Sequence, residues 1–249
     1  QFQQASASIG FSPGADVPND ERLHINLEYK TLKWRLRYWH NGADFYDLFG
    51  PTYRSRRGDA VLIGYKNTLT YDPPRQLDFT VDVAGFRGLD SLPLAQTITP
   101  TSKNLVSALA GWRYTDTTKS LGAVDHEKGL RWSLLGENDL SSGDLFPKVY
   151  GTLDFGAPLP IRHASVWLYN SAGIAGGDKA NPLSQFYFGG FGNNYVDDGE
   201  VKRYREFGSL PGFDIDALAG GRFAKSVLEV NLPPARFSNI GRPSLFLSS

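Results

Sequence analysis

From Glu21 to His40 the chain alternates apolar and polar side chains with period two, and it changes phase once on the way. Leu23, Ile25, Leu27 and Tyr29 interleave with Arg22, His24, Asn26, Glu28 and Lys30; then Leu32, Trp34, Leu36 and Tyr38 interleave with Lys33, Arg35 and Arg37. A period of two belongs to a pleated strand whose two faces meet different surroundings, not to a helix. A two-residue hairpin loop at Lys30-Thr31 accounts for the odd-to-even flip, because it pairs i with i+3 on one face. That register sets Tyr29 against Leu32, Leu27 against Trp34 and Ile25 against Leu36. Lys-Thr is not a favoured turn dipeptide, and a single bulged strand would also flip the phase; two strands is the reading carried forward.

The same alternation runs down the chain. Val61, Ile63 and Tyr65 share a face, then Leu69 and Tyr71; after the turn signal Asp72-Pro73-Pro74-Arg75 come Leu77, Phe79, Val81 and Val83. Val106, Ala108, Ala110, Trp112 and Tyr114 follow, then Leu130, Trp132 and Leu134, then Val149, Gly151, Leu153 and Phe155, then Ala164, Val166 and Leu168. Near the end Ala224, Leu228, Val230 and Leu232 oppose Lys225, Glu229 and Asn231. No segment carries an amphipathic-helix stripe, so an all-β chain is expected.

Composition narrows the function classes. Lys plus Arg and Asp plus Glu both total 26, giving zero net charge, and a chain without a basic face is a poor ligand for phosphate backbones, so no nucleic-acid partner is expected. The absence of Cys removes thiolate metal sites, disulfides and cysteine nucleophiles. His24, His40, His126 and His163 are scattered, with no pair at i,i+4. No apolar run approaches the roughly 18 residues of a spanning helix, and no signal peptide opens the sequence, which reads as a mature form or an excised segment. A mean hydropathy of −0.33 fits a soluble protein, but transmembrane barrels average out in the same way.

Between a soluble sandwich and a membrane barrel, three features favour the barrel. The expected strands run to about 9–13 residues, near the roughly 9–11 that cross a bilayer. Aromatics gather near strand ends, at Tyr38, Trp39, Tyr71, Trp112, Tyr114, Phe155 and Tyr169. Connections alternate between tight (Lys30-Thr31, Asp72–Arg75, Gly156–Pro160) and long (Asn41–Gly58, Leu89–Lys103, Gly136–Pro147, Ser171–Gly221), with Thr115–Lys128 as the exception.

The segment 185–232 carries a family likeness. Phe186-Tyr187-Phe188-Gly189-Gly190 is followed by Arg203-Tyr204-Arg205, by Leu210-Pro211-Gly212-Phe213, by Gly220-Gly221-Arg222, and by a strand ending Leu228-Glu229-Val230-Asn231-Leu232-Pro233. In order and spacing this resembles the bacterial surface antigen family, sixteen-stranded antiparallel β-barrels of the outer membrane that assemble or secrete proteins. The resemblance implies a single, partial barrel domain over 1–249 covering about eleven strands. These lie at about 3–10, 22–30, 32–40, 59–71, 76–88, 104–115, 128–136, 148–156, 162–170 and 222–232, and a further strand begins within 244–249. It makes 171–221 a long loop that enters the lumen. The family's Arg before Gly-Phe is Pro211 here, so Arg203 or Arg205 is expected to supply the loop's guanidinium, with Asp78, Asp82 or Glu229 as its carboxylate; both Arg side chains also read as solvated loop charges. Gly212 reads as a positive-φ or close-approach position.

The resemblance implies a non-enzymatic outer-membrane protein without a cofactor. Its partners would be outer-membrane lipid and lipopolysaccharide, a client polypeptide, and a periplasmic domain or accessory protein. A passive anchor for such a domain is one alternative. A lipid-acting outer-membrane enzyme with a Ser–His pair is another, although no motif marks a nucleophile. Asp125-His126-Glu127 reads as a solvated turn, since neighbouring side chains diverge. Arg54, Arg56 and Arg57 read as a basic loop that could also meet lipopolysaccharide phosphates. Gly189–Gly192 is no phosphate loop, because no helix follows it.

Overall fold

The computed structural model describes residues 2–13, 18–41, 56–91, 102–123, 125–190, 207–213, 217–233, 235–236 and 246–247. The strands are β1 (Gln3–Phe11), β2 (Leu23–Thr31), β3 (Trp34–His40), β4 (Arg56–Asp72), β5 (Arg75–Ser91), β6 (Leu105–Thr118), β7 (Lys128–Ser141), β8 (Asp144–Pro158), β9 (Ser165–Ala175), β10 (Phe186–Phe188), β11 (Leu218–Gly220), β12 (Arg222–Asn231), β13 (Ala235–Arg236) and β14 (Phe246–Leu247). β1 to β9 form one antiparallel meander, each strand paired with the next, and β12 adds to β9, giving a ten-stranded sheet. Among the described residues the order is open at β1 and β12. The all-β expectation therefore holds.

The two faces are unlike, as the alternation requires. One carries Leu27, Trp34, Leu36, Val61, Ile63, Val83, Trp112, Leu134, Val149, Leu153, Leu168 and Leu228, all exposed. Aromatic pairs sit on it: Trp34 with Tyr65 at 5.0 Å, Phe79 with Trp112 at 5.2 Å and Tyr114 with Trp132 at 5.9 Å. The opposite face is polar and ion-paired. Lys66–Asp78 (2.9 Å), Arg131–Asp154 (3.1 Å) and Lys148–Glu137 (3.2 Å) all lie on it. At one end of this polar face Trp39, Ala60, Leu89, Leu105 and Phe146 close into a buried cluster with Leu183 from the long loop. Side chains of β3, β4, β5, β6 and β8 thus share one buried cluster with a residue of the loop. Trp39 (6% exposed) belongs to this core rather than to an aromatic girdle, and Tyr169, stacked on Trp167, lies on the same face.

Several boundaries differ from those expected. The β2–β3 turn falls at Leu32-Lys33, with Tyr29 opposite Leu36 and Leu27 opposite Tyr38. The Thr31 hydroxyl accepts the Trp34 N–H at 2.9 Å, a side-chain turn that Lys-Thr at the loop centre would not allow. Relative to the expected register the partner slides by four residues, an even number, so both faces survive. The expected long loop Gly136–Pro147 is instead a tight hairpin, because Ser142 (φ 54°) and Gly143 (φ 91°) supply the two positive φ values of a type I′ turn. β9 starts later and runs further than 162–170, so the long loop begins at Gly176 rather than Ser171. Finally, Phe246–Leu247 pairs with Ala235–Arg236 and not with β12, after which Leu232 and then Pro233-Pro234 follow in the sequence, the prolines removing two N–H donors.

Candidate functional site

The long connection from β9 to β12 folds back onto the polar face. Its root is fixed by Gly176 N–H donating to Pro147 O at 2.7 Å and by Ala175 N–H donating to Gly221 O at 2.8 Å. Gly177 has φ 95°, and a Cβ there would press on Ser184 Oγ and the Phe146 ring, so both conformation and space demand glycine. A short 3-10 turn, Pro182–Ser184, follows; the Asn181 side chain caps it by accepting the Leu183 N–H, and Leu183 (1% exposed) enters the core cluster.

The motif residues then come together. Phe186–Phe188 pairs antiparallel with Leu218–Gly220, setting Phe186 opposite Gly220 and Tyr187 opposite Ala219. Gly189 N–H donates to Gly208 O at 3.1 Å, Leu210 N–H to Gly190 O at 3.0 Å and Gly190 N–H to Phe213 O at 2.9 Å. The Phe-Tyr-Phe-Gly-Gly and Leu-Pro-Gly-Phe segments thus form one backbone-bonded unit. Gly190 (φ 52°) and Gly212 (φ 92°) turn the chain in the left-handed region; a Cβ on Gly212 would meet nothing within 4 Å, so positive φ rather than close approach is its reason. Pro211, Gly212 and Phe213 stay exposed.

What pins this unit to the wall is Lys225 of β12. Its Nζ donates to the carbonyls of Phe207 (3.0 Å) and Ser209 (2.6 Å), and Ser209 is fully buried. Around that contact five rings assemble: Phe223 with Phe186 (4.8 Å), Phe188 (4.9 Å) and Phe207 (5.8 Å), and Tyr150 with Phe186 (5.8 Å) and Phe207 (5.3 Å). Gly173 on β9 makes room for them, since a Cβ there would overlap the Phe223 ring. A cavity of about 60 Å³ remains between Phe207 and the wall, lined by Asp154, Tyr169, Lys225 and Glu229.

Sequence reasoning placed Asp78, Asp82 and Glu229 on the polar face, and they lie there. Asp78, however, accepts from Lys66, Thr68 and Gln76, and Asp82 pairs with Arg35, all strand residues. Arg203 and Arg205 lie outside the described residues. Lys225 was legible as a polar-face residue of β12, but its role was not, because its acceptors are carbonyls, which leave no mark on side-chain type.

A second polar cluster sits at the far end of the sheet. Glu127 meets His163, and the carbonyl of His126 accepts from Trp167 Nε1 at 2.9 Å. Ser120 Oγ lies 3.1 Å and Glu127 Oε1 3.3 Å from the same ring atom, His163 Nδ1, and Ser120 N–H donates to Glu127 at 2.9 Å. A nucleophile relay needs serine and carboxylate on opposite ring nitrogens, so this arrangement orients His163 rather than activating Ser120. Of the three arginines read as a basic loop, Arg54 lies outside the described residues and Arg56 and Arg57 belong to β4, where Arg57 pairs with Asp20 (3.3 Å) and Glu21 (3.1 Å). Among the described residues no group of three His, Asp or Glu is placed to hold a metal ion. No protein family and no curated protein sequence matches the chain.

Proposed function

We propose that this chain forms an outer-membrane β-barrel of the bacterial surface antigen type, which inserts or passes polypeptides, with the loop after β9 seated inside as a fixed plug. The observation that carries the reading is the pairing of an exposed apolar face across ten strands with an ion-paired polar face on which that loop docks. In water a contiguous apolar surface beyond a few hundred Å² is a liability, whereas in lipid it is the stable arrangement. A polar interior that binds its own loop through Lys225 and a ring cluster suits a lumen kept sealed until a client arrives, and an open strand edge offers backbone groups to an incoming strand.

The test is in two stages. The purified chain should float with phospholipid vesicles and migrate faster on cold gels than after boiling. In cells, crosslinkers placed at Phe213 should capture an unfolded outer-membrane client. Flotation without any client adduct would reduce the protein to a passive anchor; failure to float would end the membrane reading itself.

A further inference from the structure

The β6–β7 and β8–β9 connections lie side by side, joined by the contacts of Ser120 and Glu127 with His163. Between them opens a cleft of about 850 Å³. Three cationic side chains, Lys119, Lys128 and Arg162, line it, and Glu127 is the one carboxylate among its described lining residues. That carboxylate is already engaged by the Ser120 N–H and by His163, so the wall presents net positive charge to whatever enters. His163 itself is held in the left-handed region (φ 62°), and both of its hydrogen bonds use Nδ1. A residue of this type kept at positive φ by its neighbours is a position where surrounding contacts over-determine the backbone.

The rims of the cleft are apolar. Leu121 is 98% exposed and Ile161 56% exposed, each on the tip of its own connection. Greasy tips flanking a cationic hollow are costly in water and favourable at a bilayer interface, where the tips meet acyl chains and the cations meet phosphate. We infer that this cleft seats the phosphate of an anionic phospholipid, with Lys128 and Arg162 on the headgroup and Leu121 and Ile161 against the chains. The inference rests on the membrane reading proposed above, because it places this end of the sheet at a lipid surface.

The experiment uses the full chain folded in phosphatidylcholine bilayers that contain a minor fraction of phosphatidylglycerol, then extracted into mild detergent for native mass spectrometry. Wild type should retain a phosphatidylglycerol molecule, and the Lys128→Gln, Arg162→Gln double variant should hold it about tenfold or more weakly, the loss expected for two surface cations. Inorganic phosphate at millimolar concentration should not displace the lipid. Cold-gel migration measured on the same samples reports barrel folding and should be equal for both proteins. Equal lipid retention by the double variant would overturn the seat, and so would full displacement by inorganic phosphate, which would leave a plain anion site. A wild-type chain that neither floats nor shifts on cold gels would overturn the membrane reading, and the seat with it.

Discussion

Arg35 on β3 and Asp82 on β5 form an ion pair at 3.5 Å although a whole strand, β4, runs between them. The residue in the gap is Gly64, paired with Arg35 on one side and Asp82 on the other, and a Cβ on it would land on Asp82 Oδ1. The missing side chain is therefore the channel through which the two charges meet. A Gly64→Val substitution should break the pair and cost about 1–2 kcal/mol from crowding. In an Arg35→Gln, Asp82→Asn double-mutant cycle the wild type should give a coupling of about 0.5–1 kcal/mol, and the Gly64→Val background none. A coupling unchanged by Val at 64 would mean the charges interact by another path.

Two glycines of the long loop have positive φ for different reasons. Gly212 stands in open space, so Gly212→Ala should cost only the backbone strain, about 1 kcal/mol, with Asn tolerated better than Ala. Gly177 is crowded by Ser184 and Phe146 as well, so Gly177→Ala should cost about 2–3 kcal/mol, and Asn should not relieve it. Urea unfolding of the four variants checks both halves of the argument.

Loop seating should depend on Lys225 more than the sheet does. Lys225→Met keeps the stem but removes the donor to Phe207 and Ser209, so protease cleavage between 176 and 221 should accelerate while cold-gel migration stays unchanged. Phe223→Ala removes the ring shared by Phe186, Phe188 and Phe207; for this half-buried side chain the loss should be about 2 kcal/mol, below the cost of a fully buried ring.

Most of the fold was readable because the chain separates its surroundings by strict alternation, and β4 to β6 fall within a few residues of their expected places. Where it failed, polarity misled. Gly136-Glu137-Asn138-Asp139 looks like a loop, yet Glu137 and Asp139 face the polar side, where Lys148 approaches both (3.2 and 3.8 Å). Asn170 and Ala172 likewise hid the outer half of β9, since neither is an obvious apolar marker. At the site, the two halves of the loop motif were legible as motifs. Lys225 and the meeting of Ser120, Glu127 and His163 were not, because each rests on contacts between residues far apart in sequence.

The Glu127 carboxyl is held below its ordinary value of 4.5, first by the Ser120 hydroxyl and N–H and then by His163. A depressed carboxyl stabilises the fold while it is ionised. The contacts of Glu127 with Ser120 in its own connection and with His163 in the neighbouring one should therefore be intact above pH 4.5 and be lost as the pH falls through the lowered value. Amide exchange at Ser120 should rise across that acid window in wild type and be high throughout in Glu127→Gln. A Ser120 amide as protected in the variant as in wild type would dissociate the carboxylate from the contact.

The two faces should answer a new charge in opposite ways. Ile63 sits in the middle of β4, half exposed on the apolar face and flanked by Leu36 and Val83. An arginine there would have to leave water for hydrocarbon if the face meets lipid, costing about 2–4 kcal/mol near the bilayer centre. If the face met water, the same change would be within about 0.5 kcal/mol of neutral. Thr80, opposite Lys66 on the polar face, offers the control, since Thr80→Arg adds its charge where charges already pair. Equilibrium unfolding from vesicles should therefore separate Ile63→Arg from Thr80→Arg by at least 2 kcal/mol, and equal stability of the two variants would place both faces in the same solvent.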